Sequence, residues 1–232
     1  MLFRSNLLTA NVYVDGFNLY GGALYRTKGC KWLNLRALSQ QLFPDVSIQT
    51  IKYFTAEIAA NPNDPGASGR QRVYWRALRT DPDLHIIKGR FFRSNKTKPL
   101  ARPLPKGNCT ESDCPKGSTK AEVIILEEKM SDVNLATHLL TDGFLGAYDV
   151  AIVITNDTDL CEPIRVVRDV IQKGVRVVRP VSSPGRKPAT GLQKVASKVK
   201  DIDRRRLPLI RSSQFPDQMQ DGKGAFHKPA SW

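Results

Sequence analysis

Four aspartates stand where an α/β chain could gather them at one edge of a sheet. Asp15 follows the apolar run VYV, and Asp157 and Asp159 follow the run VAIVI in the segment TNDTDL. Asp132 stands at the predicted start of a helix in the segment EEKMSDVNLA. Clustered carboxylates raise one another's pKa, so such a group makes physical sense chiefly around a cation. Carboxylate and water ligands favour Mg²⁺ or Mn²⁺ over zinc.

Each aspartate taken alone also has a simpler structural interpretation. An aspartate after a strand commonly forms a turn or caps the next helix, and Asp15, Asp132 and Asp157 could each do so. Capping alone would not produce three such segments in one α/β chain, which favours a shared site. Asn18, three residues after Asp15, carries an amide that could orient a ligand or a metal-bound water.

Alternating strand and helix patterns position these aspartates. Strands are predicted at NVYV, IQTIKYFTAEI, LHIIKGRFF, DVAIVIT and VRVVRPV. Helices are predicted at LRALSQQLF, GRQRVYWRALRT, SDVNLATHLLTDG and PIRVVRDVIQKG. The alternation predicts an α/β fold with a mainly parallel central sheet flanked by helices. Ligands of such sheets bind outside the carboxyl ends of the strands, where Asp15 and Asp157 are expected.

Composition indicates one sizeable, strongly basic domain. The chain has 232 residues, of which 41% are hydrophobic, and its formal net charge is +14. We predict a domain over residues 1–211 with a long basic loop at about 93–120, and an extended C-terminal tail over 212–232. Without a bilayer-spanning apolar run or a signal-peptide pattern, we expect a soluble cytoplasmic protein with no membrane partner.

The positive charge points to a polyanionic partner, and to nucleic acid first. Twelve Lys and Arg residues fall between Lys173 and Arg211, against only two aspartates. We interpret them as phosphate contacts that hold single-stranded or structured RNA without reading its sequence, a solvated basic face being the alternative. The densest part of this basic segment is the run Arg204, Arg205 and Arg206.

Aromatic and cysteine residues carry weaker signals. Tyr20, Tyr25 and Trp32 could stack on unpaired bases, although aromatic residues in such segments more often belong to a core. Cys109 and Cys114 have a spacing that zinc sites allow. A structural zinc site normally needs four ligands and no second pair is nearby, so a zinc site is disfavoured.

The acidic motifs resemble those of NYN-domain proteins, a branch of the PIN-like metal-dependent ribonucleases. The matching segments, in the expected order, are VYVDGFNLY, EEKMSDVNLATHLL and AIVITNDTDLCEPIRVV. The segments YFTAEI and RQRVYWRAL are similar to the bacterial branch, so the resemblance covers roughly residues 11–200. It departs where relatives often carry a serine-glycine pair and this chain has Thr155 and Asn156.

The resemblance implies a Rossmann-like PIN fold and hydrolysis of RNA phosphodiester bonds by a metal-activated water. The ion would lower the pKa of its bound water and offset the charge that develops on the phosphate. Asn18 and Thr155 would support the ion, and Lys129 would contact the scissile phosphate, a solvated lysine being the alternative. By position, the catalytic residues and direct or water-mediated ligands of Mg²⁺ or Mn²⁺ would be Asp15, Asp132, Asp157 and Asp159.

Two other functions stay open, because one scaffold hosts many chemistries. The chain could be a non-catalytic RNA-binding adaptor of the same fold. It could also be an oxidoreductase that uses the Rossmann-like scaffold, although no G-x-G-x-x-G follows the first strand. Association of the chain with a second copy of itself is a further open possibility.

Overall fold

A six-stranded parallel sheet forms the centre of the protein. The computed structural model describes residues 7–25, 27–58, 64–102, 119–182, 185 and 187–232. The strands are β1 Leu8–Asp15, β2 Val46–Thr55, β3 Leu84–Lys88, β4 Arg90–Pro99, β5 Lys120–Lys129, β6 Val150–Ile154, β7 Gly174–Pro180, β8 Lys198–Ile202, β9 Gln218–Asp221 and β10 Gly224–His227. The central sheet has the order β3-β2-β1-β6-β7-β8, with every neighbouring pair parallel. The predicted Rossmann-like α/β fold is confirmed.

Helices cover both faces of this sheet. They are α1 Gly16–Leu19, α2 Leu35–Leu42, α3 Ala67–Leu78, α4 Ser131–Phe144, α5 Cys161–Asp169, α6 Thr190–Val195 and α7 Leu207–Ser212. Alternate side chains of β1 enter opposite cores, because Val12 and Val14 pack with α2 and α3 whereas Tyr13 packs with α4 and α5. Among the helices that the structure describes, none combines the length and apolarity that a bilayer crossing needs.

The strand order reverses between β1 and β6. Strands β2 and β3 are added to the sheet on one side of β1, and β6, β7 and β8 are added on its other side. This is the order of doubly wound dinucleotide-binding sheets, in which ligands bind at the carboxyl ends of the two strands that flank the reversal. The segments that follow Asp15 and Ile154 therefore border the crevice.

A two-stranded antiparallel ribbon leaves the sheet at Gly89. The predicted strand LHIIKGRFF is two strands, since β3 belongs to the central sheet and, among the described residues, β4 pairs only with β5. A Cβ at Gly89 would lie 2.5 Å from the carbonyl oxygen of Lys129, so glycine permits the close approach at the base of the ribbon. Residues 93–99 of the predicted loop lie in β4, and residues 103–118, with Cys109 and Cys114, lie outside the described residues.

The C-terminal segment is folded onto the core, so the prediction of an extended tail over 212–232 was wrong. Strands β9 and β10 form an antiparallel hairpin. Phe215 and Phe226 are buried, with ring centroids 5.9 and 6.5 Å from that of buried Trp32. Arg76 of α3 holds the hairpin through two hydrogen bonds to Asp221, of 2.7 and 2.6 Å. The segment is buried through a few large aromatic rings, and for this reason its sequence shows no regular apolar period.

Candidate functional site

Asp15 ends β1 and is buried at the reversal point of the sheet. Its Oδ1 accepts a hydrogen bond of 2.9 Å from the backbone N–H of Asn18, which caps α1. Its Oδ2 accepts a hydrogen bond of 3.0 Å from the hydroxyl of Thr155. Burial raises the pKa of Asp15 to about 6, and the charges of Asp132 and Asp157 contribute, against the lowering effect of these two hydrogen bonds.

The loop after β6 is tied to α1 by a hydrogen bond and carries a capped turn of its own. The backbone N–H of Asn156 donates to Oδ1 of Asn18 over 3.0 Å. Asp157 accepts a 3.0 Å hydrogen bond from the backbone N–H of Asp159 and thereby caps a 3₁₀ turn. Capping, the simpler interpretation of Asp15 and Asp157, is therefore correct for both, and their carboxylates nevertheless face one space.

Asp132 enters the same space from the first turn of α4. Burial raises its pKa, and the charges of Asp157, Glu128 and Asp159 raise it further. Glu128 at the end of β5 accepts hydrogen bonds from the hydroxyl and the backbone N–H of Ser131, at 2.7 and 3.2 Å. The ribbon is thereby fixed to the start of α4.

The carboxylates of these three segments line one open cavity of about 230 Å³, here called the acidic cavity. Sequence reasoning placed Asp15, Asp132 and Asp157 together, and the structure does the same. It missed Glu128, although the motif EEKMSD contains it, because only the ribbon's register turns that carboxylate inward. The lining consists of Asp15, Phe17, Asn18, Glu128, Asp132 and Asp157.

The other predicted site residues lie outside the acidic cavity. Asp159 is exposed on the 3₁₀ turn, and Lys129 is exposed with its Nζ 3.2 Å from a carboxylate oxygen of Glu127. Thr155 is fully buried and acts on Asp15 rather than on a ligand. The 3₁₀ turn of Arg204, Arg205 and Arg206 follows β8, at the edge of the sheet three strands from β1.

A second cavity, of about 160 Å³, lies beside the acidic cavity and shares Phe17 with it. We call it the aromatic cavity, because much of its lining is aromatic. A π-helical turn over Tyr20–Leu24 follows α1, and such turns frequently mark functional sites. The aromatic side chains that line the aromatic cavity are Phe17, Tyr20, Tyr25, Tyr53, Tyr74 and Trp232.

Gly16 allows the ring of Tyr53 to lie close to the end of β1. A Cβ at this position would lie 2.7 Å from the carbonyl oxygen of Phe54 and 2.7 Å from Cζ of Tyr53. Any larger residue would push the Tyr53 ring away from the end of β1. The pKa of Tyr53 is raised by burial and also by the charge of Asp15, which reflects how close the two side chains lie.

Three charged side chains line the aromatic cavity, namely Lys31, Asp64 and Arg70. None of the three was predicted from the sequence, which indicated that Tyr20, Tyr25 and Trp32 could stack on bases or, more often for such residues, belong to a core. Tyr20 and Tyr25 do line the cavity, whereas Trp32 is core and donates from Nε1 to the carbonyl of Pro216. The only local indication of the cavity was that Tyr20 and Tyr25 are close to Lys31 in sequence, because most of the remaining lining comes from distant segments.

Similar known proteins indicate the family to which this chain belongs. No family model matches the chain. The 6-hydroxy-3-succinoylpyridine 3-monooxygenase HspA of Pseudomonas putida is 31% identical over an alignment of 248 residues, which covers 98% of this chain and 76% of HspA. The crystal structure of a protein of unknown function from Vibrio parahaemolyticus covers 88% of this chain and 98% of its own, with 14% identity and a TM-score of 0.49. A likeness at that level carries no argument.

The relative's chemistry and the site geometry correct two predictions. The prediction of a ribonuclease was wrong, because the similar enzyme is a monooxygenase. The prediction of a bound Mg²⁺ or Mn²⁺ was also wrong, since no three His, Cys, Asp or Glu side chains among the described residues are grouped to hold a metal ion. The carboxylates surround an open cavity instead of converging on one point. By sequence, the chain belongs to the enzyme family of the 6-hydroxy-3-succinoylpyridine 3-monooxygenase HspA.

Proposed function

We propose that this chain is a monooxygenase that hydroxylates a substituted aromatic ring. The observation that carries the proposal is the 31% identity to HspA over 98% of the chain. HspA is by name a monooxygenase of 6-hydroxy-3-succinoylpyridine, which is a single heteroaromatic ring with a hydroxyl group and an acidic side chain. We take this compound, or a close analogue, as the substrate.

The paired cavities support this proposal. A dry cavity of about 150 Å³ is known to hold benzene, so the aromatic cavity of about 160 Å³ has the scale of one ring. Ligand pockets are typically apolar, with a few polar groups that set orientation, and they favour the reversal point of an α/β sheet. Phe17, at the boundary of the two cavities, would place a bound ring next to Asp15.

Asp15 is the proposed general base. At C3, the position that the name of HspA gives, the ring carries the succinoyl group, so the new C–O bond forms as the ring–acyl bond breaks. With the acyl group released as an aldehyde, the substrate, dioxygen, four electrons and four protons yield the hydroxylated ring, the aldehyde and water. Removing the proton from a ring hydroxyl makes the ring richer in electrons and easier to oxygenate. A carboxylate with a pKa of about 6 is better matched to that transfer at neutral pH than an ordinary aspartate.

The electrons require a redox-active group or a reduced co-reactant, and we tested whether the described residues fit a tightly held flavin or nicotinamide dinucleotide. The first strand is followed by DGFNLYGG, which lacks the G-x-G-x-x-G that cradles a pyrophosphate. The aromatic cavity has the scale of one ring, so it does not accommodate a three-ring isoalloxazine beside a substrate. The described residues do not fit such a group, and we assign none of them to it.

Isotope labelling tests the proposal. The purified chain is incubated with 6-hydroxy-3-succinoylpyridine and ¹⁸O₂, with reduced nicotinamides as electron donors and free flavin either added or omitted. Mass spectrometry should find a product that contains one ¹⁸O atom, and none should form without dioxygen. HspA under the same conditions is the positive control. Turnover by HspA with no labelled product from this chain under any condition would contradict the proposal.

We also propose that the resemblance to NYN domains reflects common ancestry of the fold and not a common activity. The order of the three acidic motifs and their meeting in one cavity support this. Superposition on an experimental NYN structure should place Asp15, Asp132 and Asp157 on its acidic motifs. A different strand order there would reject common ancestry.

A further inference from the structure

We infer that the aromatic cavity binds a flat aromatic ring that carries a single negative charge, and that Lys31 recognises this charge. The inference rests on the proposed function in one respect, because it takes the ligand to be the substrate of the enzyme. It goes beyond that function by assigning the site, the charge of the ligand and the residue that selects it.

The walls of the cavity suit a flat ring. The rings of Tyr53 and Tyr74 meet edge to face with centroids 6.3 Å apart, and those of Tyr20 and Tyr25 are tilted with centroids 5.6 Å apart. Aromatic rings favour edge-to-face and offset contacts with one another, which a planar ligand can extend. The volume of about 160 Å³ has the scale of one ring.

The charges in the lining leave one net positive charge. Lys31 and Arg70 are positive and Asp64 is negative. Arg70 is held by Asp64, with Nη2 at 2.6 and 2.5 Å from the two carboxylate oxygens. Lys31 forms no ion pair with any carboxylate of the described residues, and its Nζ lies 6.0 Å from the ring centroids of both Tyr20 and Tyr25. Lys31 is therefore the cation that is available to an anionic ligand.

Two neutral polar side chains of the lining, Gln71 and Tyr74, are engaged in bonds of the fold. Nε2 of Gln71 donates to the carbonyl of Ala56, and its Oε1 accepts from the backbone N–H of Ile58. The hydroxyl of Tyr74 donates to the carbonyl of Leu33 over 2.8 Å. These bonds hold two walls of the cavity in place, and recognition of the ligand's charge falls to Lys31 because Arg70 is paired with Asp64.

Electrostatics also fixes the direction in which the ligand lies. The acidic cavity beyond Phe17 repels a carboxylate, whereas Lys31 attracts one. The charged substituent therefore lies at Lys31, and the opposite edge of the ring lies towards Asp15. This is the orientation in which Asp15 could accept a proton from a ring hydroxyl.

Calorimetric binding without reductant tests the inference independently of turnover. The probes are 6-hydroxy-3-succinoylpyridine, its methyl ester, which lacks the charge, and succinate, which lacks the ring. The wild-type chain should bind the acid about tenfold or more tightly than the ester, as expected for a hydrogen bond to a charged group, and should not bind succinate measurably. Equal affinity for acid and ester, or no binding of the acid, would overturn the inference.

A pair of lysine variants locates the recognising cation. Lys31→Met keeps the apolar stem and removes the charge, so it should weaken binding of the acid about tenfold and leave the ester unchanged. Lys28→Met is the matched control, because Lys28 is exposed and does not line the aromatic cavity; it should change neither affinity. Equal effects of the two substitutions would overturn the assignment, provided that thermal melting shows both variants folded.

The same measurements separate this inference from the proposed function. Charge-selective binding that depends on Lys31, without any labelled product in the ¹⁸O₂ experiment, would reject the monooxygenase and keep the binding site. Formation of labelled product with no effect of Lys31→Met on affinity for the acid would reject the site and keep the monooxygenase.

Discussion

Asp15 combines two roles that are usually separate. It caps α1 as an ordinary turn-forming aspartate does, and it is also buried beside other carboxylates, which raises its pKa to about 6. A carboxyl group whose pKa is raised on folding favours the folded state only while it is protonated. Stability contributed by this group is therefore present at low pH and is lost as pH rises from about 4 to about 6.

The first prediction concerns stability. Asp15→Asn should gain stability relative to wild type as pH rises from about 4 to about 7, because asparagine never acquires the buried charge. A pKa change from 3.8 to about 6 corresponds to at most about 3 kcal/mol. Urea denaturation of both proteins at several pH values measures this. A stability difference that does not vary with pH would mean that Asp15 titrates normally.

The second prediction concerns activity and depends on the proposed function. Asp15→Asn should lower kcat/KM about 100-fold or more, because the variant loses its general base. The wild-type rate should rise with pH through about 6, where Asp15 becomes a carboxylate. Asp83→Asn is the matched control, since Asp83 is exposed before β3 and remote from both cavities, and it should keep wild-type kinetics. A fully active Asp15→Asn enzyme would exclude the catalytic role.

At the scale of elements, the C-terminal hairpin completes the core beside the aromatic cavity. Its buried Phe226 packs on Trp32 and lies 4.2 Å from the guanidinium of Arg76. Trp232 reaches the rings of Trp32 and Tyr74 and lines the cavity. The hairpin therefore acts as a structural support for the cavity wall.

The third prediction tests this role of the hairpin. Phe226→Ala should lower the free energy of unfolding by about 3 kcal/mol, as expected for deleting a buried ring. Phe92→Ala removes the same ring from the ribbon, where 52% of Phe92 is exposed, and should cost well under half as much. Urea denaturation of the two variants makes the comparison. Equal and small losses would indicate that the C-terminal segment contributes little to the core.

At the scale of the whole molecule, fewer positive charges are free to bind a polyanion than the net charge of +14 suggests. Arg176 is bound by Asp45 at 2.7 Å, and Arg179 is bound by Asp201 at 2.6 Å. Arg205 pairs with Asp203, and Arg206 donates to the carbonyl of Asp201. Much of the predicted phosphate-binding segment is therefore engaged within the protein, and RNA as a partner stays a prediction.

The fourth prediction is that any affinity for single-stranded RNA falls steeply with salt. The slope of log affinity against log salt should be about −0.7 for each phosphate contacted. Arg204→Glu, at an exposed arginine without an ion pair to another described residue, should reduce the slope by about 0.7. Arg176→Glu, at an arginine that Asp45 neutralises, should reduce it less. Fluorescence anisotropy measures both, and a flat salt response would reject the predicted RNA contacts.

Local pattern determined β1, β2, β6 and β7 of the central sheet and the helices α2 to α5, but not the ribbon, β8 or the C-terminal hairpin. The uninterrupted apolar run VAIVI, rich in β-branched residues, predicts a strand buried on both faces, and β6 is buried throughout. The apolar periods at LRALSQQLF and SDVNLATHLL predict α2 and α4. Because the carboxyl ends of parallel strands meet at one edge, the placement of Asp15 and Asp157 together was also predictable. These features follow from interactions between residues close in sequence and from the rules of sheet connection.

Tertiary structure alone decided which groups complete the site and which charges remain free. The aromatic cavity joins Phe17 to Trp232, and the pair of Arg176 with Asp45 joins residues 131 positions apart. Contacts of this kind depend on where distant segments pack, and a local hydrophobic period does not predict that. The acidic residues were visible in the sequence, but the absence of a metal-binding grouping among the described residues is a property of their spacing across an open cavity. Carboxylates share one ion only where their oxygens reach about 2.0–2.6 Å from a common centre, and how the segments that carry them pack decides whether they do.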